Sequence, residues 1–231
     1  MDKVKAIFIS HEHSDHVTGL AGISKKYQLP VYITEGTFAN CKVPVEENLI
    51  QHFQETKPIS IGNLKITSFK KNHDAADAHS FMVSGYGVNV GVITDIGFAC
   101  KKVIKYFGQC HAAFLESNYC DTMLANGNYP YYLQERISSD VGHLSNAQAV
   151  ELFKNYKSAH LQLLILSHLS KNNNKPELVE NMFTPHAEAT KIIVASRYEA
   201  SPVFRINASP AFGLQKAKGK QIKDERQLTL F

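Results

Sequence analysis

The chain has 231 residues, 44% of them apolar and 20% charged, with only 13 Gly and 8 Pro. That composition supports a domain with a substantial core and excludes a disordered or fibrous chain. The net charge of +4 is mild. Most of it lies in the tail, where Lys216, Lys218, Lys220, Lys223 and Arg226 outnumber Asp224 and Glu225.

Met1–Lys5 leads into the short apolar run Ala6–Ile9, which reads as a buried strand and is too short for a signal peptide or a membrane span. Val17–Tyr27 has the pattern of a helix, and Val31–Thr34 that of a short strand. Leu64–Phe69 alternates as a strand. Phe81–Ser84 and Val88–Thr94 flank Gly85-Tyr86-Gly87 and predict a hairpin. Lys101–Phe107 predicts a helix, Ala112–Leu115 a strand and Tyr131–Ile137 a helix. Ser145-Asn146-Ala147-Gln148 is a capping box that opens an amphipathic helix to about Tyr156. Leu161–Leu166 is a solidly apolar strand, and Pro176 suits the first turn of a helix to about Phe183. Lys191–Ala195 and Val203–Ile206 are late strands. Alternating strands and helices predict α/β layers over residues 1–209, followed by a flexible basic tail over 210–231.

Four cysteines form no C-x-x-C pair, which predicts a reduced, cytoplasmic protein with ordinary buried thiols. Eleven histidines and no tryptophan are the stronger signal, because imidazole is the commonest metal ligand. In Ile9-Ser10-His11-Glu12-His13-Ser14-Asp15-His16 a strand runs into a helix. Residues i and i+2 of an extended segment point the same way, so His11 and His13 can reach one ion. Asp15 and His16, just past the turn, can aim at a second. Further candidates follow other predicted strands: His73, Asp95 and His168. Imidazole and carboxylate suit Zn²⁺, or Mn²⁺ and Fe²⁺ with less selectivity.

The order H-x-H-x-D-H, then His, Asp and His, resembles the metallo-β-lactamase superfamily. The resemblance implies an αββα sandwich and two divalent ions. His11, His13 and His73 would hold the first ion, Asp15, His16 and His168 the second, and Asp95 would bridge them. Such a pair activates a water molecule and offsets the charge of a phosphoryl transition state. His16 directly after Asp15 argues against the secreted antibiotic-hydrolysing enzymes. Phe114-Leu115-Glu116-Ser117-Asn118, Asp140-Val141-Gly142-His143-Leu144-Ser145-Asn146, and His168-Leu169-Ser170 with Asn172-Asn173-Asn174 resemble the YycJ/WalJ-type bacterial nucleases, and more distantly ribonuclease Z. That branch implies catalytic roles for Asp15, for His143 at the scissile phosphate, and for Glu116 orienting His143.

Superfamily members carry about two or three strands ahead of the motif, which this chain reaches at its eleventh residue. An incomplete N-terminal sheet with an open edge is therefore expected. His52, His79, His111, His160 and His186 match no motif and read as ordinary histidines. Lys25-Lys26, Lys70-Lys71 and Lys101-Lys102 read as solvated faces, and Tyr129-Pro130-Tyr131-Tyr132 as core or rim. The chain ends Gln227-Leu228-Thr229-Leu230-Phe231, which resembles the peptide with which bacterial repair proteins dock on the sliding DNA clamp. The reading is thus a metal-dependent DNA exonuclease of repair or replication. The alternatives are an ester or thioester hydrolase, a ribonuclease Z-like RNA nuclease, or a non-enzymatic clamp accessory protein.

Overall fold

A computed structural model describes residues 3–208 and 228–230. The chain opens with strand β1 (Ile7–Phe8), helices α1 (Ser14–Val17) and α2 (Leu20–Tyr27), strand β2 (Val31–Ile33), helix α3 (Glu35–Asn40) and strand β3 (Ile50–His52). Strands β4 (Ile59–Ile61), β5 (Leu64–Lys70), β6 (His79–Gly85) and β7 (Val88–Ile93) form a meander. Helix α4 (Lys101–Phe107), strand β8 (Ala112–Glu116), helices α5 (Asp121–Ala125), α6 (Tyr131–Ser138) and α7 (Asn146–Tyr156), strand β9 (Leu163–Ser167), helix α8 (Pro176–Phe183) and strand β10 (Lys191–Val194) complete the alternating half. Strands β11 (Phe204–Ile206) and β12 (Leu228–Leu230) come last.

Two sheets result. The first is parallel, ordered β1-β2-β3, and β1 is its edge among the described residues. The second runs β10-β9-β8-β7-β6-β5-β4, parallel from β10 to β7 and antiparallel from β7 to β4. The period-two alternation of strand side chains explains the layers. On β9, Leu164 and Leu166 join Val103, Phe107, Phe153 and Phe183 of the outer helices in one core. Leu163 and Ile165 of the same strand face Phe204 and Ile206 in another. On β2, Val31 and Ile33 meet Val17 and Leu20 beneath the first helices, while Tyr32 points into the cluster of Phe53, Ile66 and Phe81 between the sheets. Helix, sheet, sheet and helix layers make the expected αββα sandwich.

Several expectations change in detail. The single helix expected over Val17–Tyr27 is two, α1 and α2, parted at Thr18-Gly19, residues of poor helix propensity. α3, β3 and β4 had no clear sequence signal because each has only 3 to 6 residues. The hairpin is present, with Tyr86 and Gly87 both at positive φ, as a two-residue turn matched to strand twist requires. The capping box forms in both directions between Ser145 and Gln148.

Of the terminal tail, Leu228–Leu230 pair antiparallel with β11, with Phe204 opposite Leu230. Residues 209–227 and Phe231 lie outside the described residues, and with them Gln227 and nearly all of the expected flexible tail. No helix among the described residues is long and apolar enough to cross a membrane.

Candidate metal centre

The two sheets bring the predicted ligands to one place. His11 follows β1, His73 and Asp95 follow β5 and β7, and His168 follows β9. The ligand atoms of His11, His13 and His73 lie within 4.8 Å of one another, as do those of Asp15, His16 and His168. Asp95 stands between the two groups. Its Oδ2 is 3.5 Å from His16 Nε2, and its Oδ1 is 3.4 Å from His168 Nε2 and 4.0 Å from His73 Nε2. All seven predicted ligands therefore converge, and His11, His16 and Asp95 also lie within the same reach of one another.

The polar atoms fit ions. His11 Nε2 and Asp95 Oδ2 are buried with no hydrogen-bond partner, an arrangement that is costly unless something fills it. Each imidazole that offers Nε2 is oriented through its other nitrogen, as ligating histidines usually are. His73 Nδ1 donates to the Gly142 carbonyl at 3.0 Å, His168 Nδ1 donates to Glu116 Oε1 at 2.7 Å, and His11 Nδ1 is 2.9 Å from Ser10 Oγ. His13 instead places Nε2 3.1 Å from the Asp74 carbonyl, leaving Nδ1 for the centre.

Backbone strain marks two of the predicted ligands. Asp95 has φ +55° and His168 φ +58°, the left-handed region that a side chain enters only when its surroundings compel it. Asn118 Nδ2 donates to the His168 carbonyl at 2.8 Å and helps hold that conformation. Gly97 and Gly142 allow loops to close over the site. A Cβ on Gly97 would meet the Asp140 carbonyl oxygen at 2.1 Å, and one on Gly142 would meet that of Ile137 at 2.2 Å.

Glu116 is fully buried beneath the centre. Its Oε1 accepts from both His143 Nδ1, at 2.9 Å, and His168 Nδ1. Its Oε2 accepts from the backbone amides of Ile96 and Leu144 at 2.9 and 3.1 Å. Burial alone would raise this acid, but the hydrogen bonds from His143 and His168 outweigh it and bring it down to about 2. Reciprocally, burial would lower His168, yet the Glu116 carboxylate, with Asp95 and Asp15, raises it to about 9. Burial, reinforced by Lys71 and His16, keeps His11 far below the usual imidazole range. Burial and Lys71 bring His73 down to about 4. Burial would raise Asp95, but the adjacent His16 imidazole and the charges of Lys71 and His168 hold it well below the usual carboxylate range. The neutral imidazoles of His11 and His73 beside carboxylates are protonation states that a divalent cation binds, whereas His168 must release a proton to ligate one.

Lys71 corrects one sequence expectation. It is not on a solvated face but buried, with Nζ donating to the Thr94 carbonyl at 2.8 Å and 3.9 Å from Asp95 Oδ2. On β5 the side chain of Lys70 goes outward to Asp77, and the next residue must point inward. Burial lowers Lys71 to about 8, against the pull of Asp95, Glu116 and Asp15.

A cavity of about 750 Å³ opens beside the centre, lined by Asp15, His143 and His168 together with Tyr129, Arg197 and Tyr198. Tyr131 and Tyr132, read from the sequence as core or rim, are 75% and 73% exposed. Arg197 and Tyr198 carried no motif that could have singled them out. His79, read as ordinary, is indeed buried in the core.

Two histidine-rich clusters sharing one strained aspartate, at the ends of strands in an αββα sandwich, decide the family. The chain belongs to the metallo-β-lactamase superfamily. Residues 1–169 match the beta-lactamase superfamily domain. The chain is similar to exodeoxyribonuclease YycJ of Bacillus anthracis, with 32% identity over 183 residues, 77% of this chain and 69% of that protein. Exodeoxyribonuclease WalJ of Streptococcus pneumoniae shares 30% identity over 182 residues, 77% of this chain and 68% of that one. The metallo-beta-lactamase fold protein YhfI from Bacillus subtilis superposes with a TM-score of 0.65 at 17% identity, covering 84% of this chain and 76% of that one. As a member of this superfamily with exonuclease relatives, the chain is a metal-dependent hydrolase.

Proposed function

We propose that the protein is a dinuclear-metal phosphodiesterase, a DNA exonuclease acting in repair or replication. In this reading His11, His13 and His73 would hold one ion and Asp15, His16 and His168 a second, with Asp95 placed to serve both. The donor set favours zinc. When bound, the ions supply Lewis acidity and a water of lowered pKa. The observation that carries the reading is His143, suspended from the same Glu116 oxygen as His168 and lining the same cavity. Glu116 occupies His143 Nδ1, so Nε2 is the nitrogen left to contact a phosphate and give a proton to the departing oxygen. A thiolate leaves without such a proton, so a thioester hydrolase has little use for this imidazole. Asp15, which lines the same cavity, is the member of the second cluster that faces the reacting group in this reading. The relatives named exodeoxyribonucleases support DNA over RNA.

Residues 1–209 form the hydrolase domain in this reading, and 210–231 tether a peptide for the sliding clamp through Gln227, Leu228, Leu230 and Phe231. Because Leu228–Leu230 pair with β11, docking on a clamp requires that pairing to open.

The test incubates the 231-residue protein with end-labelled linear duplex DNA and with RNA, with and without Zn²⁺ or Mn²⁺. Metal-dependent release of nucleotides from DNA is expected, lost in Asp95→Ala and reduced about 10²–10⁴-fold in His143→Ala. Full activity in the Asp95 variant sinks the mechanism. Thioester turnover without nuclease activity returns the protein to the small-ester class.

A further inference from the structure

We propose that Tyr198, with Arg197 and Lys171, forms a subsite for the nucleotide next to the scissile phosphate, binding it as an unpaired base stacked on the Tyr198 ring. The inference rests on the phosphodiesterase reading and specifies what its substrate must offer.

The cavity that holds Asp15, His143 and His168 does not end at the ions' ligands. Lys171, Arg197 and Tyr198 line the same space. Their position follows from topology. β9 and β10 are parallel neighbours, so the loops after them leave the sheet on the side where β7 and β9 deliver Asp95 and His168. Ligands of open α/β sheets bind at those carboxyl ends. A volume of about 750 Å³ is more than the metal cluster needs and lies within the range of sites that bury a ligand of drug-like size.

The loop carrying Tyr198 is built rather than slack. Ser196 Oγ accepts from the backbone amides of Tyr198 and Glu199, both at 3.1 Å. Arg197 Nη2 donates to the Leu169 carbonyl at 2.6 Å, tying this loop to the one that follows His168. On this fixed support the Tyr198 ring is 83% exposed. It contributes little to the core, and an exposed aromatic beside cations is the arrangement that single-stranded nucleic acid binders use. Bases stack on the ring irrespective of sequence, and the cations take the backbone. A base inside the strand presents its face to an aromatic ring only when its neighbour has been unstacked from it. The attacked end of the strand is therefore unpaired in this site, and an overhang or frayed end precedes a blunt duplex as substrate.

The experiment uses the full chain loaded with Zn²⁺ and a single-stranded oligonucleotide with phosphorothioate linkages, carrying 2-aminopurine at the second nucleotide. Binding to the wild type should quench the fluorophore. Tyr198→Ala should lose the quench and bind roughly tenfold more weakly, while Tyr198→Phe retains both. Arg197→Ala should weaken binding and flatten its salt dependence. Quenching in Tyr198→Ala equal to the wild type overturns the subsite, as does equal weakening in the alanine and phenylalanine variants. Nucleotide release from ordinary DNA by the wild type is scored separately. If it persists while the Tyr198 variants behave as wild type, only the subsite fails; if it is absent, the phosphodiesterase reading fails too.

Discussion

Glu116 Oε1 accepts a hydrogen bond from His168 at 2.7 Å and from His143 at 2.9 Å. One buried oxygen thus orients both an expected metal ligand and the imidazole expected at the phosphate. Replacing Glu116 by Gln sets an NH₂ against the backbone amides of Ile96 and Leu144, or against the two imidazole donors if the amide flips, and removes the charge that both imidazoles face. Partners of metal ligands typically contribute 10–100-fold in affinity or activity. Glu116→Gln should therefore lower kcat/KM on bis(p-nitrophenyl) phosphate and lower bound metal by a factor in that range. A variant with wild-type metal content and turnover would show that the carboxylate is incidental.

The same pair sets a pH dependence in the metal-free protein. Glu116 is lowered from 4.5 to about 2 on folding, so it adds stability above about pH 4.5 that is lost as the pH falls toward 2. His168 is raised from 6.5 to about 9, so its contribution is complete below about pH 6.5 and is lost as the pH rises through 9. Thermal unfolding after chelation should therefore give a falling melting temperature on both sides, and Glu116→Gln should flatten both slopes. An unchanged profile in the variant would assign the dependence to other groups.

Lys71 is a buried charge facing the buried carboxylate of Asp95. Lys71→Met leaves the Thr94 carbonyl without its donor and Asp95 without its counter-charge. Loss of about 1–3 kcal/mol is expected in urea unfolding of the metal-free protein. The loss should shrink when ions are loaded, since they then neutralise Asp95. An equal loss in both states would mean that Lys71 only packs.

Removing Gln227–Phe231 should abolish capture on a bacterial sliding clamp and spare hydrolysis of short substrates. Surface plasmon resonance with immobilised clamp and a parallel nuclease assay separate the two. Because β12 pairs with β11, the deletion should also expose the outer edge of β11 and raise its amide exchange. Undiminished clamp binding after the deletion would place the docking determinant elsewhere.

Much of the site was legible in the chain because its chemistry is written as local spacing. His11, His13, Asp15 and His16 fall within six residues, and strand alternation alone sends the first two the same way. His73, Asp95 and His168 could be picked out because each follows an apolar strand, and in a layered α/β protein the strand ends are brought together. The capping box of α7 and the hairpin at Tyr86-Gly87 were readable for the same reason, since each is satisfied by residues a few positions apart.

What depended on the tertiary structure was everything set by contacts distant in sequence. That one carboxylate serves both His143 and His168 follows from β8 lying between β7 and β9, which no spacing announces. That Lys71 is buried while Lys70 is exposed depends on which face of β5 meets the centre. That Tyr198 stands in the cavity depends on β10 lying beside β9. The sequence by itself determined the candidate ligands, the layered class and the family resemblance, because those rest on residue type and local period. Burial, charge pairing and the shape of the cleft came only with folding, because they are properties of which surfaces meet.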